Sequence, residues 1–285
     1  MSNGLVEAVG EGTTNIIASD GIAETKVPVT VETKIALTGI VLSEDTLELS
    51  PDDAITVHVT LIPENANDVP ETTSWTSGNT SVAVVDESGT ITAIAEGETD
   101  MIYREGSFAD TIVVYVSNTR PFNGPHTLSA TAPCTVYAAD FDFGGEGNAF
   151  HDSNSSNSTG NDDYRQNGGD TGSYAVEVQG SGFTTNIGYI AAGEWLVYTV
   201  EVKDAGKYVF ELNESASETS AFHLEVDGTD VTGTITIPSN GSKSNYIWLE
   251  LDSPIILDLT EGRHQIKFYF EISGYNFRAL RFTKE

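Results

Sequence analysis

Two stretches of this chain lie 85 positions apart and carry their glycines at the same places. SNGLVEAVGEGTTNIIASDGIAETKVPVTV, from Ser2, aligns without a gap to ESGTITAIAEGETDMIYREGSFADTIVVYV, from Glu87, so that Gly4, Gly12 and Gly21 recur as Gly89, Gly97 and Gly106. A repeat of this length means copies of one structural unit. Only the C-terminal half of the first copy is present, which leads us to expect a natural chain that continues upstream of Met1.

The complete copy runs from about Ile35 to Val116. Its segments TGIVLSE, DTLELS, AITVHVTLIP, TTSWTS, VAVVD, TITAIAE, TDMIYRE and DTIVVYV alternate apolar with polar residues and are parted by Pro, Gly, Asn and Asp clusters. Short alternating strands at such spacing predict an antiparallel sandwich. The stretches LTGIVLSEDTLELSPDDAITVHVTLIPENA and SWTSGNTSVAVVDESGTITAIAEGETDMI, with the closing VVYV, resemble the bacterial immunoglobulin-like domain of group 2. That resemblance implies a spacer or stalk of secreted and surface proteins. Trp75 falls where such domains keep a core aromatic. His58, between Val57 and Val59, reads as a solvent-face residue, since no second His or Cys stands at metal spacing.

SNTRPFNGPHT, residues 117–127, is rich in turn formers and reads as a linker. Beyond it, YAVEV, EWLVYTVEV, KYVFELNES, AFHLEVDG, TGTITIP, YIWLELD, PIILDL, HQIKFYFEI and FRALRFT again read as strands, and no helical period is sustained. We therefore expect an all-β chain: part of an immunoglobulin-like repeat over 1–33, a complete one over 34–118, a linker over 119–127 and a jelly-roll β-sandwich over 128–285. The single cysteine, Cys134, rules out an intramolecular disulfide framework, so each domain must stand on its apolar core.

Charge narrows the partners. Lys and Arg number 13 against 43 Asp and Glu, a formal net charge of -30, and the acids are spread over both halves. Such a field disfavours nucleic acid, anionic membranes and sulfated or uronic polymers, although it is screened within about 8 Å at physiological salt. No apolar run is long enough to cross a bilayer. A neutral ligand fits best.

The stretch YAADFDFGGEGNAFHDSN, residues 137–154, concentrates carboxylates, a histidine and aromatics. As a helix-loop-helix calcium loop it fails: Asp140, Asp142 and Gly145 fit the first, third and sixth positions, but Gly144 and His151 stand where acidic ligands belong. No serine elbow, cysteine nucleophile or zinc motif is present, so no residue is assigned a catalytic role. Asp140 and Asp142 read as solvated residues leaving a strand. Trp195, in the regular strand GEWLVYTV, reads as core.

ADFDFGGEGNAFHD, YRQNGG, YIAAGEWLVYTVEVKDAGKYVFEL, FHLEVDGTDVTGTITIP, LTEGRHQIKFYF and GYNFRALRFT follow in order the pattern of the family 6 carbohydrate-binding modules, which Ala130–Lys284 resembles. The resemblance implies glycan binding in a cleft formed by loops at one end of the sandwich. It places Tyr164 as one aromatic wall, Asn276 as the hydrogen-bonding floor and Glu146 at the edge. The opposite wall, usually tryptophan, is Asn245 here, and Tyr246 is expected to supply it from a shifted loop. The family usually holds a structural calcium. Its acids would fall at Tyr137, Ala139 and Arg281, none of them acidic, so no calcium and no other cofactor is expected.

The expected function is non-catalytic binding of a neutral polysaccharide by the C-terminal module, displayed on immunoglobulin-like spacers, extracellularly or at the cell surface. Two other readings stay open: an accessory segment of a glycoside hydrolase whose catalytic domain lies upstream, and an adhesin or structural surface protein that binds no sugar.

Overall fold

The computed structural model describes residues 5–153, 164–165, 176–180 and 185–285; Gly4 of the repeat and residues 166–169 of the YRQNGG motif lie outside them. The fold is all-β, the one helical turn among the described residues being the 3-10 segment Ala138–Asp140. No helix among the described residues is long and apolar enough to cross a membrane. Two compact units divide the chain at Val116 and Ser117.

The repeat is visible as a repeated hairpin. Strands Gly12–Ser19 and Glu24–Val31 pair antiparallel from Gly12↔Val31, and strands Gly97–Glu105 and Phe108–Val116 pair in the same register from Gly97↔Val116. The second hairpin is flanked by Thr73–Ser77 on one side and, in parallel, by Thr46–Leu49 on the other. Its alternate residues Met101, Ile112, Val114 and Val116 are buried with Leu47, Leu49, Ile91 and Ala93. This is the inward face that a period of two predicts. Trp75 packs partly buried against this core, its ring 4.9 Å from Tyr103. Gly89, at φ +82°, lets the chain turn there: a Cβ would meet the Val57 carbonyl at 2.8 Å and the indole at 3.2 Å. His58 is exposed, as expected.

The second unit packs two sheets face to face. One orders His126–Leu128, Trp195–Val202, Gly262–Ile272, Ser220–Val226 and Thr229–Asp230; the other orders Val178–Gln179, Asn186–Ile187, Tyr275–Lys284, Gly206–Ala216 and Ile247–Trp248. Between them Phe268 of the first sheet stacks on Phe277 of the second at 4.8 Å and on Phe222 at 4.7 Å. Burying rings of this size supplies most of the apolar area of the core.

Three expectations need correction. Residues 119–127 are no free linker. Arg120 N donates to the Phe143 carbonyl and Phe143 N donates back, Thr119 accepts from Gln265, and His126–Leu128 joins the first sheet. Asp140 and Asp142 are buried. Asp142 accepts from Thr199 N at 3.0 Å and Thr199 Oγ1 at 2.5 Å, and burial outweighs these bonds and the nearby Arg165 and Arg263 to push its carboxyl up to about 6. Trp195 lies on the outer face, because Leu196, Tyr198, Val200 and Val202 are the residues of that strand in the core.

Candidate functional site

The floor of the candidate site forms where the strand Tyr275–Lys284 runs beside Gly206–Ala216. Register slips by one residue between Asn213 and Glu214, leaving Arg278 as the extra residue of a bulge and pairing Asn276 with Ser215. Over this end folds the serine-rich loop 238–246. Ser215 Oγ donates to the Ser242 carbonyl at 3.0 Å and accepts from Asn245 N at 2.9 Å, Ser239 Oγ donates to the Ser217 carbonyl at 2.8 Å, and Asn240 N donates to the Ala216 carbonyl. Hydroxyls that both donate and accept hold a loop that has no ladder partner of its own.

Asn276 is buried beneath this loop. Its Nδ2 donates to the Lys243 carbonyl at 3.2 Å and to Gln179 Oε1 at 3.4 Å. Tyr246 leaves the same loop with the Arg278 guanidinium 3.8 Å from its ring centre. Burial pushes its hydroxyl up, against the opposing pull of Asn276 and of the Arg278 charge. The structure therefore brings together two of the four residues expected from sequence, Asn276 and Tyr246.

The other two have different partners. The Tyr164 hydroxyl donates to Asp140 at 2.6 Å and accepts from Asn123 at 3.1 Å, while its ring meets Phe122 edge-on at 5.7 Å. Burial first, and the Asp140 carboxylate second, push that hydroxyl up to about 12. Next to it Arg165 is fully buried, its guanidinium 3.8 Å from Phe141 and 4.3 Å from Phe122, donating to the carbonyls of Ala139, Phe141 and Asp142. Glu146 is exposed and bound to His151 Nδ1, and its second oxygen accepts from Asp152 N at 3.0 Å.

Sequence reasoning missed one aromatic. Tyr189 follows Gly188, which stands against Gln179 and Asn276, and its backbone is left-handed at φ 53° with the residue 60% exposed. A bulky residue in that conformation is strained, and strain of this kind gathers at binding sites. The signal in sequence was the glycine before it.

A second aromatic set crosses the outer face of the first sheet. Cross-strand pairing aligns His151 with Trp195, Trp195 with Tyr269 and Tyr269 with His223. His223 stacks on Tyr269 at 4.6 Å, and Lys267 Nζ lies 4.8 Å from the Trp195 ring.

No cluster of three or more His, Cys, Asp or Glu that could hold a metal occurs among the described residues. At the positions of the family's calcium acids, Tyr137 pairs with Ala279, Ala139 is buried with its carbonyl bound to Arg165, and Arg281 pairs both Glu211 oxygens at 2.5 and 2.6 Å under Trp248.

Residues 162–284 match the carbohydrate binding module of family 6, and residues 36–111 match the bacterial Ig-like domain of group 2. The chain thus carries a family 6 carbohydrate-binding module behind a group 2 bacterial immunoglobulin-like domain, and this membership points to carbohydrate binding. No curated protein matches the chain in sequence.

Similar solved structures include the C-terminal family 6 module of LamC, a marine laminarinase from Zobellia galactanivorans, at 18% identity over 54% of this chain and 100% of that one, TM-score 0.36. The CsCBM6-3 module from Clostridium stercorarium, in complex with cellobiose, shows 17% identity over 57% and 98%, TM-score 0.39. The CBM6cm-2 module of Cellvibrio mixtus lichenase 5A, in complex with cellotriose, shows 26% identity over 39% and 87%, TM-score 0.33.

Proposed function

We propose that the C-terminal module binds a neutral polysaccharide without cleaving it, at the loop end around Asn276, Tyr246 and Tyr189, and that the immunoglobulin-like repeats present it on a secreted or cell-surface protein. One observation carries the reading: a buried amide held at the bottom of a loop cluster, with aromatic side chains beside it. Pyranose rings offer apolar C–H faces and a fringe of hydroxyls, so a site needs flat aromatic surface and a few fixed polar groups. Tyr189 offers open ring surface, whereas the Tyr246 ring already carries Arg278 on one face. Tyr164 and Glu146 stand beside the site with their polar groups held, by Asp140 and by His151.

Charge supports a neutral ligand. A net charge of -30 repels polyanions at long range. We further propose that the usual calcium of the family is not held, since the cationic Arg281, already paired with Glu211, stands where an acid is needed.

A panel of immobilised laminarin, β-1,4-glucan, xylan, agarose and a sulfated galactan tests the proposal on the whole chain. Retention by a neutral polymer that persists at high salt is expected. Retention by the sulfated polymer alone would contradict it, as would release of reducing ends that vanishes in Glu146→Gln.

A second reading places the glycan on the sheet face, favoured by the aligned row of His151, Trp195, Tyr269 and His223. There Tyr269 and His223 face each other and Lys267 covers Trp195, which leaves less open ring for a sugar. Loss of retention in Trp195→Ala with full retention in Asn276→Ala would favour it.

A further inference from the structure

We infer that Gln179 is a positioning residue of the proposed site: it holds the Asn276 amide with a carbonyl oxygen that has no hydrogen-bond partner among the described residues, so that the floor accepts a hydrogen bond from the ligand instead of donating one. The inference rests on the glycan reading above.

Gln179 ends the short strand Val178–Gln179, which pairs with Asn186–Ile187, which in turn meets Tyr275–Lys284 through Ile187 and Phe277. Three adjacent strands thereby set Gln179, Asn186 and Asn276 side by side. A single oxygen serves both amides: Gln179 Oε1 accepts from Asn186 Nδ2 at 3.0 Å and from Asn276 Nδ2 at 3.4 Å. The Lys243 carbonyl, at 3.2 Å, takes the other hydrogen of Asn276 Nδ2. An amide has two donors and one acceptor oxygen, and its two donors already face three acceptors, Gln179 Oε1, the Lys243 carbonyl and the Tyr246 hydroxyl. Turning the group over would press Oδ1 against two acceptor oxygens, so the orientation is imposed by its surroundings.

Gly188 completes the arrangement. A Cβ at that position would fall 2.3 Å from Gln179 Oε1 and 3.2 Å from Asn276 Oδ1, so any side chain there would push the hub apart and crowd Oδ1. The absence of a side chain avoids both contacts. An oxygen so placed selects a ligand group that donates, a hydroxyl or an amide N–H. It rejects an ether oxygen or a fluorine at the same place, because a buried acceptor facing another acceptor goes unpaired.

The test compares Gln179→Glu, which keeps the acceptor, with Gln179→Leu, which removes it, and Gln179→Asn, which withdraws it by one methylene. Two quantities are read on the whole chain: the NMR signals of the Asn276 side-chain NH2, and affinity for cellotetraose, laminaritetraose and xylotetraose. We expect Gln179→Glu to keep both. Gln179→Leu and Gln179→Asn should move the NH2 signals toward those of a free amide and weaken the best of the three sugars by about tenfold. Unchanged NH2 signals in these two variants, or wild-type affinity in them while Asn276→Ala loses binding, overturns the inference and leaves the glycan reading standing. If wild type binds no glycan while the NH2 signals respond as expected, the glycan reading falls and the hydrogen-bonded hub does not.

Discussion

Replacing Glu214 by glutamine should remove a pH-dependent loss of stability from the C-terminal unit. Glu214 lies next to the bulge of the strand Gly206–Ala216, opposite Phe277, and is 1% exposed. Neither of its carboxyl oxygens has a hydrogen-bond partner among the described residues, and the Tyr275 hydroxyl is likewise unpartnered. Burial pushes the carboxyl from its ordinary 4.5 up to about 7. The unfolded chain releases this proton near 4.5 and the folded chain keeps it to about 7. Between those values the native state binds more protons, so stability is full below about 4.5 and falls as pH rises toward 7. A difference of roughly 2.5 units at 1.36 kcal/mol each makes the loss about 3 kcal/mol.

Glutamine has the same shape and does not titrate. It carries its own cost, on the order of 1 to 3 kcal/mol, for an amide buried without partners, but that cost is the same at every pH. The diagnostic quantity is therefore the change in the wild-type-to-variant difference between pH 4 and pH 8. It should favour Glu214→Gln by about 3 kcal/mol more at pH 8, roughly 6 to 12 °C in melting temperature for a unit of this size. Contributions from the other acids, Asp142 included, cancel in the comparison. Denaturant melts of both proteins at one-unit pH steps provide the data. Parallel curves across the whole range would show that Glu214 ionises freely in the folded state and refute the reasoning.

Three further outcomes are expected. Arg165→Met should lower the stability of the C-terminal unit by about 3 to 5 kcal/mol in a denaturant melt, since it strips donors from three buried carbonyls and a cation from beside Asp142. Melts with chelator and with added calcium at constant ionic strength should coincide, because Arg281 and Glu211 are satisfied by each other; a calcium-dependent rise would reveal a bound ion. Tyr189→Ala should weaken the preferred oligosaccharide about five- to thirtyfold by calorimetry, the loss of stacking on one exposed ring, and Tyr164→Ala should weaken it less, its hydroxyl being held by Asp140.

What sequence made legible was whatever depends on near neighbours along the chain. The 85-residue offset foretold copies of one unit, which take the form of two hairpins of one register, and alternation foretold strands such as Phe108–Val116, whose alternate residues are buried. Asn276 was singled out through its motif GYNF, which opens the strand Tyr275–Lys284. The rest hinged on distant partners. Nothing local tells that Asp142 is met by Thr199, that Phe122 lies under the guanidinium of Arg165, or that a 3-10 turn draws Asp140 inward.

Trp195 was misplaced because WLVYTVEV is apolar on both parities. Its polar residues Thr199 and Glu201 share the parity of Trp195 and mark the outer face. Tyr189 escaped notice because nothing near it in sequence tells that the strand Asn186–Ile187 stops two residues earlier and that the backbone then turns left-handed and leaves Tyr189 exposed.

The central claim, a glycan held over Asn276, is tested most directly by titrating the strongest neutral ligand of the polymer panel, as an oligosaccharide, into wild type and Asn276→Ala. Circular dichroism and melting should first establish that both are folded. The account predicts saturable binding by wild type that changes little between low and high salt, and a loss of at least about tenfold in Asn276→Ala. Equal affinity in the two folded proteins would contradict it.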